Sequence, residues 1–213
     1  MERRLLDKGF VVLAWGHAGW VRFFSKTPAI RPADLKKMKL FAWAGATYQV
    51  DLMRTLGYEP RPLETAEIYQ SLQTGFIDAA ALAPFFALGI QCDKAAPHML
   101  QLNWAPIVGA TIIKKEIWDK LPPASLDAIR KAAAEAGEKI RTRSRLENEE
   151  SVAAMQKRGL TVHPVTPQIE EEWRQLAESV YPKIRGRMVP ADMFDEVQRL
   201  LREHRAAGKG ASK

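Results

Sequence analysis

The 213-residue sequence predicts an α/β fold, a sheet with helices packed on its faces. Three features predict it. Between Met38 and Leu82, short apolar runs alternate with segments of helical periodicity in the order strand, helix, strand, helix, strand. Glycines and prolines stand at the junctions. One long later stretch, Leu126 to Arg158, repeats apolar residues at spacings of three and four.

The opening residues, MERRLLDKG, read as a helix end. Phe10 to Trp15 and Trp20 to Ser25 follow as two strands separated by the turn-like Gly16-His17-Ala18-Gly19. Met38 to Trp43 is apolar and aromatic, too short for an ordinary helix and suited to a buried strand. Thr47 is the expected N-cap of a helix that carries Tyr48, Leu52, Met53 and Leu56 on one face and stops at Gly57. Pro60 and Pro62 frame a second extended piece. Thr65 caps the next helix, whose apolar face is Ile68, Tyr69 and Leu72, and Gly75 ends it before a strand from Phe76 to Leu82.

Phe85 to Gly89 continues as a short helix, and Cys92 to Pro97 is polar and turn-like. Met99 to Ile113 reads as a long strand interrupted at Trp104-Ala105-Pro106, where proline withholds a ladder donor and a hinge can sit. Ser125 is expected to cap the helix from Leu126 to Arg158, roughly 50 Å long at about 1.5 Å per residue and therefore longer than one small domain. Its apolar stripe weakens between Arg141 and Ser151 and resumes at Val152 and Met155, which excludes a coiled coil. After Gly159 come a strand from Leu160 to Val165 and a helix opened by Thr166-Pro167, with Ile169, Trp173, Leu176 and Val180 on one side. Met193 to Arg205 is a last amphipathic helix, and Gly208 to Lys213 a disordered tail.

Composition sets further bounds. With 46% hydrophobic and 27% charged residues the chain holds enough apolar material for one or two globular domains. No apolar run reaches the roughly 18 residues of a membrane helix. Phe10 to Trp15, preceded by Glu2 and Asp7, is too short and too acidic in its approach for a signal peptide. A single Cys92 leaves no internal disulfide, and with four scattered His it offers no zinc spacing. The net charge of +7 is spread evenly, twelve basic against nine acidic residues up to position 110 and 20 against 16 beyond it, which argues against a nucleic-acid surface.

No nucleophile elbow, phosphate loop, dinucleotide fingerprint or paired helical histidines appear, so no catalytic residues, cofactor or metal are assigned. Asp78 is expected to orient neighbouring backbone rather than to act as an acid or base. In sheets of this kind small ligands sit beyond the carboxyl ends of the strands, which here carry Trp43 and Gly45 after one strand and Phe85 after another.

The frame Pro-Ala-Asp-Leu-Lys, then Met-Lys-Leu, then Leu-Gly-Tyr-Glu-Pro, then Ala-Glu-Ile-Tyr-Gln-Ser-Leu-Gln-Thr-Gly-Phe-Ile-Asp-Ala resembles the extracytoplasmic solute-binding proteins of TRAP transporters. Trp118-Asp119-Lys120-Leu121-Pro122 is a second landmark, and the likeness runs from about Gly9 to Trp173. It implies a two-lobed fold like that of periplasmic binding proteins, with the long helix bridging the lobes: residues 1–30 and 107–213 in one, residues 31–106 in the other. It also implies a periplasmic location, a small organic solute held between the lobes, and delivery to TRAP membrane subunits. Members of that family are longer at the N-terminus, so the first lobe is expected to be incomplete, as in a truncated or fragment form.

The resemblance adds site candidates. Phe41 stands where many members carry an arginine that pairs with the ligand's carboxylate; phenylalanine offers no such fork. Arg22 is the nearest base that could replace it, although an exposed strand residue is the plain reading. Asn103 and Trp104 match the segment that returns to the other lobe, and the plain reading makes them a turn residue and a core residue. The expected ligand set is Arg22, Phe41, Trp43, Gly45, Phe85, Asn103 and Trp104. The alternatives are a small enzyme using the same cleft and a truncated binding protein without function.

Overall fold

A computed structural model describes residues 1–210 of the chain. In order it contains α1 (Glu2–Asp7), β1 (Phe10–Ser25), α2 (Pro32–Leu35), β2 (Lys39–Trp43), α3 (Thr47–Thr55), β3 (Glu59–Leu63), α4 (Ile68–Thr74), β4 (Ala79–Leu82), α5 (Pro84–Gly89), α6 (Cys92–Ala95), β5 (His98–Lys114), α7 (Lys115–Trp118), α8 (Pro123–Gln156), β6 (Thr161–His163), α9 (Pro167–Ile184) and α10 (Ala191–Gly210). The strands form one sheet in the order β3-β2-β4-β1-β5-β6. β3, β2 and β4 run parallel, β1 is antiparallel to β4 and β5, and β6 lies parallel to β5. The class is α/β, as the element order predicts. Pro60 and Pro62 fall in β3, an edge strand, where a missing N–H on the open side breaks no ladder.

β1 and β5 organise the molecule. They are 16 and 17 residues long, against about five or six for an ordinary strand. Only their inner ends, Arg22–Ser25 and His98–Leu100, pair with β4 and β6; from Phe10↔Lys114 to Trp20↔Pro106 they continue as a two-stranded ribbon.

This corrects the expectation of two strands split at Gly16–Gly19. The ladder passes through that segment with a register shift between His17 and Trp20, and Gly19 adopts φ +95°. The glycine signal there comes from close packing, since a Cβ on Gly19 would lie 2.0 Å from Asn148 Nδ2 on α8. Near the expected break at Trp104–Pro106 the strand continues but the ladder is irregular: Pro106 and Ala105 pair with Trp20 and Val21, and the register then jumps to Leu100 opposite Phe23, leaving residues 101–104 out of the β1 ladder.

The 34-residue α8 runs along β1 in the same direction. Gly137 meets Ala14 and Trp15, Ile140 meets Gly16, Asn148 meets Gly19, Glu149 meets Arg22, and Val152 and Met155 enter the core that contains Phe24. At Gly137 a Cβ would stand 3.1 Å from that of Ala14, so the missing side chain sets how closely helix and ribbon approach.

Two apolar clusters sandwich the inner sheet. One joins Phe24, Phe41, Ile68, Leu72, Ile77 and Met99 to Val152 and Met155. The other holds Leu35, Met38, Leu40, Leu100 and Trp173. In the second, Phe23, Trp104 and Trp173 form an aromatic trio with ring centroids 4.9 to 5.6 Å apart, and Trp173 Nε1 donates to the Ile30 carbonyl at 2.9 Å.

Several helix ends differ from expectation. Ala46 rather than Thr47 precedes α3, and Pro122 rather than Ser125 precedes α8. Glu64, not Thr65, opens the turn into α4, with the Glu67 carboxylate accepting from its N–H at 2.8 Å. Phe76 is half exposed and lies outside β4, and Cys92–Ala95 is a single helical turn. Thr166 caps α9 as read, accepting from Ile169 N. The C-terminal helix continues to Gly210, and the remainder of the expected tail, residues 211–213, lies outside the described residues.

Candidate functional site

Arg22 is not an exposed strand residue. It sits on β1 opposite Leu82 of β4, and it is 5% exposed. Such a buried cation needs partners, because water no longer solvates it. Its Nε donates to Asn103 Oδ1 at 3.3 Å, and its Nη2 donates to Glu149 Oε1 at 2.5 Å. Nη1 is buried and has no hydrogen-bond partner among the described residues. Since side chains alternate along a strand, Arg22 and Phe24 face α8 while Phe23 faces the aromatic trio.

A cavity of about 290 Å³ opens beside this guanidinium, lined by Gly19, Trp20, Arg22, Pro84, Asn148 and Glu149, with Arg145 as a second base. Asn148 fixes its walls. This buried amide donates to the Ala18 carbonyl at 3.2 Å and accepts from Phe85 N at 3.1 Å, tying together α8, the irregular stretch of β1 and the first turn of α5. The cavity thus lies where β1, the end of β4 and α8 meet, and the uncompensated N–H of Arg22 gives its surroundings an affinity for an oxygen acceptor.

The other candidate residues are distributed. Asn103 joins Arg22, whereas its neighbour Trp104 is turned to the opposite face. Phe41 and Trp104 both line a larger, mainly apolar cavity of about 340 Å³, with Phe23, Leu40, Trp173 and Val180. Phe41 is 7% exposed and meets Trp43 edge-on at 4.8 Å. Trp43, Gly45 and Phe85 are exposed at the carboxyl ends of β2 and β4 and line neither cavity. Arg61, paired with Phe41 across β2 and β3, does not reach the Arg22 cavity; it pairs with Glu59 and lies 5.6 Å from the Phe76 ring centroid.

Glu149 and Asn148 escape the sequence reading. Their trace is the weakened apolar stripe between Arg141 and Ser151, which is where α8 turns a polar side toward Arg22 and Gly19. Asp78, in turn, orients backbone: Oδ2 accepts Lys39 N at 2.9 Å, and Asp78 N donates to the Lys39 carbonyl at 2.7 Å. Among the described residues no group of three or more His, Cys, Asp or Glu is arranged to hold a metal ion.

Comparison with known proteins places the chain in a family. Residues 1–187 match the bacterial extracellular solute-binding proteins of family 7, known as DctP. The C4-dicarboxylate-binding periplasmic protein DctP of Rhodobacter capsulatus is 26% identical over 186 residues, covering 87% of this chain and 56% of that protein. The chain spans about half the length of the curated relatives it matches. A TRAP periplasmic solute-binding protein from Chromohalobacter salexigens with bound D-glucuronate superposes with a TM-score of 0.82 at 20% identity, covering 93% of this chain and 65% of that one. One from Rhodoferax ferrireducens with bound malonate gives 0.80 at 23%, covering 95% and 65%. At these identities the structural likeness is one of fold. Through the match over residues 1–187, the chain belongs to the bacterial extracellular solute-binding proteins of family 7.

Proposed function

We propose that this chain is the solute-binding component of a TRAP-type transporter and takes a small organic anion into the cavity beside Arg22, performing no chemistry on it. The observation that carries the reading is the buried guanidinium with an unpartnered Nη1 at the wall of a ligand-sized space. The family consists of solute-binding proteins, and two fold relatives hold carboxylate-bearing solutes, D-glucuronate and malonate.

In this reading Arg22 meets the carboxylate, Asn103 holds the guanidinium by its Nε, and Trp20 and Pro84 supply apolar walls. Trp43, Gly45 and Phe85, exposed at the strand ends, form the outer rim against which a second lobe closes; Phe41 backs Trp43 edge-on, and Trp104 packs on the other face of the sheet. Closure is driven by the solute's greater affinity for the closed state. The solute then passes to TRAP membrane subunits outside the cytoplasm. Among the described residues no helix is long and apolar enough to cross a membrane.

Calorimetric titration with malonate and D-glucuronate tests this. The parent should bind at least one of them, and Arg22→Gln should weaken that binding by about 10- to 100-fold, the value of a charge-assisted hydrogen bond. Unchanged binding in Arg22→Gln, or no organic anion bound by the parent, overturns it.

A further inference from the structure

The ion pair at Arg22 is asymmetric. The arginine side chain is 6% exposed and the Glu149 side chain 60% exposed. The guanidinium is held by its burial and by Asn103, while the carboxylate reaches in from the surface of α8 and can return to water by rotating its own side chain. The helix itself need not move. Residue 148, next in the chain, is locked by hydrogen bonds to Ala18 and Phe85.

A carboxylate pairs best with a guanidinium through two parallel N–H···O bonds. On Arg22, Nε is taken by Asn103, Nη2 by Glu149, and Nη1 alone lacks a partner. A ligand carboxylate that claims the Nη1–Nη2 edge therefore competes with the Glu149 carboxylate, a like charge that already holds one of the two Nη2 N–H groups. We propose, building on the assignment of this cavity as an anion site, that Glu149 is a specificity-determining residue, an internal carboxylate that occupies Arg22 in the empty protein and is displaced when a solute takes the fork.

Two consequences follow from charge. Binding exchanges one carboxylate for another at Arg22, which holds affinity below what the buried arginine would otherwise give. Displaced but nearby, Glu149 leaves a negative charge at the cavity edge, which disfavours a dianion more than a monoanion. Without it, the cavity is lined by two bases, Arg22 and Arg145, and no acid.

The test is calorimetric titration of the parent, Glu149→Gln and Glu149→Ala with malonate, a dianion at neutral pH, and with D-glucuronate, a monoanion. Both variants should bind malonate about tenfold more tightly than the parent, with a gain for D-glucuronate of about threefold or less, because the repulsion scales with ligand charge. Affinities equal to or below the parent's, in a parent whose binding is lost in Arg22→Gln, overturn the inference and leave the anion site standing; Glu149 then only positions Arg22. If no form binds either acid, or Arg22→Gln binds like the parent, the anion site itself fails and the inference with it.

Discussion

The side-chain oxygen of Asn148 accepts the backbone N–H of Phe85 at 3.1 Å, so a residue deep in α8 caps the first turn of α5. A helix N-terminus leaves N–H groups without intrahelical partners, and α5 has no side-chain cap of its own. Asn148→Ala strands that donor together with the Ala18 carbonyl. At about 1–3 kcal/mol for each buried unsatisfied group, the variant should lose roughly 2–4 kcal/mol, read as a lowered urea midpoint with unchanged slope. A loss below about 0.5 kcal/mol would show that water replaces the amide.

Gly19 and Asn148 should behave as one unit. Gly19 needs its left-handed backbone and leaves no space for a Cβ, which would sit 2.0 Å from Asn148 Nδ2. Gly19→Ala should therefore destabilise on its own, and its effect should shrink by about 1 kcal/mol or more once Asn148 is already Ala. Strict additivity in the double-mutant cycle would separate the two.

Placing an arginine at position 41 should not create a carboxylate fork. Phe41 is buried in the cluster with Phe24, Leu63 and Ile68, and its ring packs edge-on against Trp43. Phe41→Arg puts an unpaired charge there and should cost about 3 kcal/mol or more. Gain of malonate affinity without a drop in melting temperature would contradict this placement.

Stability should decline below neutral pH through a histidine pair on β5 and β6. His98 Nδ1 and His163 Nε2 lie 3.1 Å apart, and burial together with the charge of His163 holds the pKa of His98 below its ordinary value. The folded state thus takes up its proton later than the unfolded chain. Stability is full above the unfolded pKa of about 6.5 and is lost as pH falls below it toward the folded value. His163→Gln should flatten the melting temperature between about pH 5 and 7 relative to the parent.

The thiol of Cys92 should be silent in the native protein. Its side chain is fully buried, and burial, with Asp93 adding, pushes its pKa up to about 12. An aromatic disulfide reagent should label it only at the rate of unfolding. Stoichiometric labelling within seconds under native conditions would contradict the burial.

Elements whose signals are local were legible in the sequence. Gly75 in left-handed conformation ends α4, and Thr166-Pro167 starts α9, because caps depend on a few adjacent residues. The stretch Gly16–Gly19 was not legible, since a glycine that makes room for another element looks the same in sequence as one that reverses the chain. Burial of Arg22 was hidden for a similar reason: its acidic partner is 127 positions away. Arg22 and Asn103 could be named as candidates only through the resemblance to a known family. The separation of Asn103 from Trp104 depends on which face of β5 each meets, which the expected break at Trp104–Pro106 obscured.

The contact of α8 with β1 from Ala14 to Phe24 makes the ribbon a braced spar rather than a string of joints. Each irregularity in β1 would let a bare strand pair flex, but the helix spans all of them and resists. Asn148 and Glu149, adjacent on that helix, hold the ribbon at Ala18 and at Arg22, so the irregular stretch of β1 and the buried guanidinium are fastened within a single turn.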